Sequence, residues 1–369
     1  MWKKYVMWLF LVLILIGGSV YLSIYKQFGK NPSNARLARV QASANYVDGR
    51  FRNQVEKPLL TEDVSKFGLY MDFLFSSPEN TVPKTALPSQ KTDLKALSKT
   101  DDTLVWFGHS SYFLQIAGKR MLVDPVFSNS ASPFSFMIRA FPGTTNYQVD
   151  DLPEIDYVFI THDHWDHLDY ETVIALNAKT GKFICGLGVG EHLEYWGVAP
   201  KKIIELDWYE AKELDNSEFT VHAMPTHHFS GRGLNSNQTL WVSFVLQAPG
   251  VTLYFGGDSG YGPHFAEIGG RFDSIDLAIL ENGQYDTRWK YTHMHPEEVV
   301  QAAHDLHAKA LLPVHSGKFS LSAHAWNEPL QRISALHSKG ESFRLLTPMI
   351  GERVDLSDQE KKFAHWWEQ

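Results

Sequence analysis

The stretch DYVFITHDHWDH, residues 156–167, runs an apolar strand candidate straight into three histidines and two aspartates. Its centre is the pattern H-x-H-x-D-H, formed by His162, His164, Asp166 and His167. With 17 His and 22 Asp in 369 residues, chance would place that four-position pattern about 0.002 times in such a chain. On a turn that follows a strand, His162 and His164 can point the same way, and Asp166 and His167 belong to the other side of the turn. One short segment then presents ligands to two neighbouring metal ions. Imidazole and carboxylate suit Zn, Fe and Mn better than Mg or Ca, which prefer oxygen-only sets.

Two metals need more than four ligands, and the rest should sit at strand ends facing the same cleft. His227 and His228 follow the strand candidate EFTVHAM (218–224). Asp258 follows VTLYF (251–255), and His315 follows ALLPV (310–314). Gly or Ser stands beside each, leaving room for a ligand. His109, after TLVWFG (103–108), is expected near the site without a catalytic role.

Around these anchors the body reads as short apolar runs rich in Val, Ile, Phe, Tyr and Trp, each the length of a strand. SYFLQIA (111–117), KRMLVD (119–124), KFICGL (182–187), KKIIELDW (201–208), LWVSFVLQ (240–247) and DLAIL (276–280) complete the strand set. Helices are expected at 169–178, 296–308 and 327–338, the second with Pro296 in its first turn and Glu297 and Glu298 after it. Strands interleaved with helices over about 265 residues point to an α/β fold in one catalytic domain, two sheets packed together with helices outside.

Composition narrows the function. A net charge of −8 argues against nucleic-acid binding through a basic face. The single Cys excludes an internal disulfide and any site built from several thiolates. Residues 5–25 carry no charged side chain and extend roughly 31 Å as a helix, enough to cross a bilayer core. Trp2, Trp8, Tyr21 and Tyr25 lie near the ends of this run, where amphipathic rings favour the interface. A cleaved signal peptide is the competing reading, but the run is long for one and no A-x-A-like site follows closely. The expected organisation is a transmembrane anchor (1–25), a polar, weakly structured lead-in partly packed on the body (26–100), and the catalytic domain (101–369). Lys3 and Lys4 before the span compete with Lys26, Lys30, Arg36 and Arg39 after it, which leaves the side of the membrane open. The oligomeric state is open too, a homodimer included. The closing KFAHWWEQ holds two adjacent Trp that suit either a core or an interfacial contact.

The series H-x-H-x-D-H, then His, then G-D, then His resembles the metallo-β-lactamase superfamily. That resemblance implies an αββα sandwich of two mixed sheets with outer helices and two metals at one edge. More narrowly, WFGHSSYFLQIAGKRMLVDPVFS, THDHWDHLD, HHFSGRG, GGDSGY, HMHPEE and PVHSGKF resemble the N-acylphosphatidylethanolamine phospholipase D family, as does DGRFRN (48–53). The similarity spans roughly residues 46–345. It implies that His162, His164 and His228 hold one metal, that Asp166, His167 and His315 hold the other, and that Asp258 bridges. His228 is preferred to His227 because the family pattern H-[WF]-S-G-R fits residues 228–232. The His before P-E-E, here His293, lies by the metals in that family; we read it as a catalytic and substrate-contacting group. Two departures stand out: His295 where the family more often has Asn or Asp, and Ser316-Gly317-Lys318 where it has Trp-Gly-Thr.

The expected activity is that of a membrane-anchored phosphodiesterase with two Zn (Fe or Mn as substitutes), acting on a phospholipid of the N-acylphosphatidylethanolamine type. Attack by a hydroxide held between the metals would yield phosphatidic acid and an N-acylethanolamine, with Asp166 orienting the water. Arg232 would offer a guanidinium fork to the substrate phosphate. A hydrolase of the same fold acting on a lactone or a soluble phosphate ester is the alternative, because fold does not fix function. A metal-free, membrane-tethered binding protein is the third reading, and the seven-residue ligand set argues against it.

Overall fold

The computed structural model describes residues 2–368 except 62, 63 and 77. Helix α1 (Trp2–Ile24) is exposed along its whole length, with no buried residue. It is long and apolar enough to cross a membrane. Helix α2 (Asn34–Ala42), the hairpin β1 (Tyr46–Val47) and β2 (Arg50–Phe51), and helix α3 (Lys66–Phe75) follow.

The first large sheet takes β3 (Thr103–Trp106), β4 (Tyr112–Ile116), β5 (Lys119–Val123), β6 (Ile155–Ile160), β7 (Thr180–Gly186) and β8 (Ile203–Leu206). The second takes β9 (Ala211–Leu214), β10 (Phe219–Met224), β11 (Ser243–Ala248), β12 (Val251–Phe255), β13 (Leu277–Glu281), β14 (Ala310–Val314) and β15 (Arg344–Leu345). Strand β16 (Arg353–Asp355) returns to the first, giving the orders β16-β3-β4-β5-β6-β7-β8 and β15-β14-β13-β12-β11-β10-β9. Both sheets have one plan. Four strands pair antiparallel, then the last of them continues into three parallel pairings, from β5 through β8 and from β12 through β15.

Parallel neighbours need long connections; residues 124–154 join β5 to β6 as a long loop, and helices supply the others. Helices α4 (Tyr170–Leu176) and α5 (Val189–Tyr195) serve the first sheet. Helices α6 (His264–Phe272), α7 (Pro296–Asp305) and α8 (Glu328–His337) serve the second. The sheets meet through aromatic rings: Phe159 of β6 lies 5.4 Å from Phe244 and 5.2 Å from Phe255, edge to face. This is the α/β sandwich expected from the sequence, and the expected strands fall within a few residues of their observed bounds.

The lead-in is more structured than its polar composition suggests. Val40 and Phe51 are buried in the main core, and Leu87, Leu94 and Leu97 are buried as well. A few apolar side chains spaced among polar ones do this, so no period announces them. The chain end resolves in favour of the core: Trp366 and Trp367 are both buried, and Trp366 lies 6.1 Å from Trp106.

Candidate metal centre

Every ligand-type residue singled out above, Arg232 and His293 aside, stands just past the carboxyl end of a strand. The loop after β6 carries His162 to His167, and the segments after β10, β12 and β14 carry His228, Asp258 and His315. His162 Nε2 and His164 Nδ1 are 2.9 Å apart, and His228 Nε2 is 3.2 Å from the same Nδ1. Zn–N bonds of 2.0–2.1 Å at tetrahedral angles separate ligand nitrogens by about 3.3 Å, so this trio converges on one point. His109, Asp166, His167 and His315 form a second group beside it. Asp258 Oδ2 faces both groups, 3.8 Å from His162 Nε2, 3.7 Å from His228 Nε2, 3.2 Å from His167 Nε2 and 3.3 Å from His315 Nε2.

The donor set fits metal ions on two counts. His167 Nε2 and Asp258 Oδ1 are buried without a hydrogen-bond partner among the described residues, an arrangement that costs a protein free energy unless a ligand completes it. The other ring nitrogens are tied down from behind, as metal-ligating imidazoles require. His167 Nδ1 donates to Asp124 Oδ2 at 2.8 Å, and His228 Nδ1 donates to the Thr292 carbonyl at 3.1 Å. His162 Nδ1 meets Thr161 Oγ1 at 3.0 Å, and His315 Nδ1 meets Ser110 Oγ at 2.9 Å. These contacts leave Nε2 of four histidines, and Nδ1 of His164, aimed at the centre.

Burial holds His162, His228 and His315 well below the usual imidazole range, which keeps their lone pairs available at neutral pH. His167 goes the other way: burial lowers it, but Asp258, Asp166 and Asp124 outweigh that and raise it. Burial pushes Asp258 and Asp166 up, yet the surrounding imidazoles, His167 first, hold both well below the usual carboxylate range. The backbone is shaped to this end: His109 (φ 51°) and His315 (φ 65°) are both left-handed. They are paired through the His315 N–H and the His109 carbonyl at 3.0 Å.

His293 lies beside the ligands, its ring stacked on His315 at 5.1 Å, with Nδ1 3.2 Å from Glu281 Oε2. It lines a cavity of about 410 Å³ together with His164, Asp166, His228, Asp258 and His315. Leu59, Leu60, Leu69, Phe229, Trp289 and Leu321 add apolar wall. His227 turns away, towards the carbonyls of Tyr291 and Val55.

Arg232 is not where the fork reading needs it. It is buried, and all three of its side-chain nitrogens donate to backbone carbonyls, those of Gln27, Asp163, His164 and Leu168. It does not line the cavity among the described residues. The Lys318 departure also stays out of the cavity: its ammonium is buried, donates to the Val126 carbonyl at 2.7 Å, and is pushed down to about 8 by burial.

Sequence reasoning assigned no role to several supporting residues. Asp124 follows β5 as Asp258 follows β12, so the same strand-end rule could have found it. Asn53 had no such signal. Its side chain donates to the His228 carbonyl at 2.8 Å and accepts from the His228 N–H at 3.1 Å, bracketing a ligand from the lead-in. Asn53→Ala should weaken metal binding by about tenfold, measured by competition with a chromogenic chelator. An unchanged affinity would mean that His228 is held by its own strand alone.

The beta-lactamase superfamily domain model matches residues 119–316. An uncharacterized protein of Mycobacterium tuberculosis is 38% identical over 343 residues, 92% of this chain and 91% of that one. The N-acyl-phosphatidylethanolamine-hydrolyzing phospholipase D 1 of Caenorhabditis elegans is 28% identical over 275 residues, 69% of this chain and 76% of that one. Among solved structures, a metallo hydrolase of Ignicoccus hospitalis superposes with a TM-score of 0.53 at 20% identity, over 68% of this chain and 97% of that one. With the strand-end His and Asp set in place on that fold, the chain belongs to the metallo-β-lactamase superfamily and is a metal-dependent hydrolase.

Proposed function

We propose that this hydrolase is a membrane-anchored, two-zinc phosphodiesterase acting on phospholipids of the N-acylphosphatidylethanolamine type, releasing phosphatidic acid and an N-acylethanolamine. The observation that carries this reading is the composition of the cavity. Its floor is the His and Asp set, and its walls include Leu59, Leu60, Leu69, Trp289 and Leu321. A phosphodiester at the floor with acyl chains against the walls satisfies both surfaces. The similarity to the Caenorhabditis elegans phospholipase D over 69% of this chain supports the same substrate class. Helix α1, exposed throughout, supports presentation of lipid in the enzyme's own membrane.

His162, His164 and His228 would hold one cation, Asp166, His167 and His315 the other, and Asp258 both. Cations there supply Lewis acidity towards a phosphoryl oxygen and acidify water at neutral pH. The chain's own residues do the rest. Asp166, with Oδ2 held by His109 Nε2 at 2.7 Å, orients the attacking water. His293, held at Nδ1 by Glu281, presents Nε2 to the leaving head-group oxygen and gives it a proton. The apolar walls exclude bulk water from the floor.

The test is turnover of N-acylphosphatidylethanolamine in detergent micelles by the full-length protein, read as phosphatidic acid formed. Release of phosphatidic acid is expected, and it should stop when a chelator strips the metal. No turnover there, with turnover of a water-soluble lactone or phosphate ester, would contradict the lipid reading.

A further inference from the structure

Residues 26–30, directly past the membrane helix, are bound by the metal loop's own supports. The Trp196 indole donates to the Lys26 carbonyl at 2.7 Å. Arg232 Nε and Nη2 donate to the Gln27 carbonyl at 3.1 and 2.9 Å. The Phe28 ring stands edge-on to Trp165 at 5.2 Å. The Lys30 N–H donates to His192 Nδ1 at 3.0 Å.

Each of these partners continues into the loop that carries His162 to His167. Because the Lys30 N–H is a donor, His192 Nδ1 must accept, so the ring proton sits on Nε2. That Nε2–H faces Asp163 Oδ2 at 3.2 Å, and Asp163 is the residue between ligands His162 and His164. The buried Asp163 carboxylate also accepts from Thr239 Oγ1 at 2.8 Å and from the Gly231 N–H at 2.7 Å. Arg232 Nη1 donates to the Asp163 and Leu168 carbonyls at 2.8 and 2.7 Å, with its guanidinium over Trp165 at 3.9 Å and Trp196 at 5.2 Å. Gly29, left-handed at φ 70°, makes the approach: a Cβ there would collide with His192 Nδ1.

We propose that the stem formed by residues 26–30 is a positioning element of the metal loop, acting through His192 and Arg232 to hold Asp163 and so the directions of His162 and His164. The stem is thereby more than a tether. Groups behind metal ligands set ligand orientation, and their loss typically costs 10–100-fold in metal affinity or activity. The inference rests on the metal centre alone and not on the lipid substrate.

The test uses the full-length protein in detergent, loaded with Co(II), and needs no substrate. The readouts are the rate of metal loss to excess chelator, the visible Co(II) spectrum and the unfolding midpoint of the metal-free protein. His192→Ala and Gly29→Ala should release metal about tenfold faster or more and alter the spectrum. His192→Gln, whose amide offers one acceptor and one donor, should recover part of the loss. Arg39→Ala, which removes an ion pair between α2, just past the stem, and Glu210, should release metal at the wild-type rate. Wild-type release and spectrum in His192→Ala and Gly29→Ala would overturn the proposal. So would a His192→Gln variant no better than Ala, or an Arg39→Ala variant as fast as either. Should the Ala variants fail to fold, His192→Gln should still release metal faster than Arg39→Ala, and equal rates in those two would overturn the proposal.

Discussion

Asp258→Asn should lower hydrolysis by about 10³-fold or more while the metal-free protein keeps its fold. Asp258 Oδ2 lies within 4 Å of the Nε2 atoms of His162, His167, His228 and His315 at once. An amide of the same shape fills the same space, so packing is undisturbed. It cannot serve as a charged ligand to two cations, which should remove several kcal/mol of transition-state stabilisation, and each 1.36 kcal/mol is a factor of ten in rate. The metal-free protein should keep its fold but lose some stability at neutral pH, because the imidazoles around Asp258, His167 first, outweigh burial and favour the ionised carboxylate that the amide lacks. Measured rates with saturating metal, and unfolding midpoints without it, check both halves. A variant retaining a tenth of wild-type activity would show that Asp258 does not bridge.

Phe51→Ala should cost about 3–5 kcal/mol, although Phe51 lies in the stretch that composition marks as a lead-in. Its side chain is fully buried in the main core and stands edge-on to Tyr46 at 5.1 Å. Its N–H donates to the Asn237 carbonyl at 2.9 Å, and Asn53, which brackets His228, is two residues on. Loss of the ring leaves a cavity and should also loosen Asn53. The measurement is the shift of the denaturant midpoint in detergent, with metal retention followed in parallel. A shift below about 1 kcal/mol would mean that residues 46–53 dock on a body that stands without them.

The main strands were legible because parallel strands buried on both faces are continuous apolar runs. DYVFI and VTLYF are such runs, and each ends at a ligand. Strand β9 was not legible: AKEL, largely exposed at the end of its sheet, carries no apolar signal. The ligands were readable because the strand-end position repeats for His162, Asp258 and His315. What escaped was the layer behind them. His192 lies on α5, 29 residues from Asp163, and nothing local ties them. Arg232 was misread for a related reason. A guanidinium suits a phosphate by type, but here the carbonyls of Gln27, Asp163 and Leu168, which no side-chain motif records, take its donors. Residue type suggests chemistry; only the fold says which partner arrives first.

A centre for two cations sharing Asp258 can be counted by metal analysis of the purified full-length protein by plasma mass spectrometry, alongside activity. About two Zn or Fe per chain are expected, with activity lost on chelation and restored on reloading. Full activity in protein that carries no metal, or only one ion per chain, would contradict such a centre.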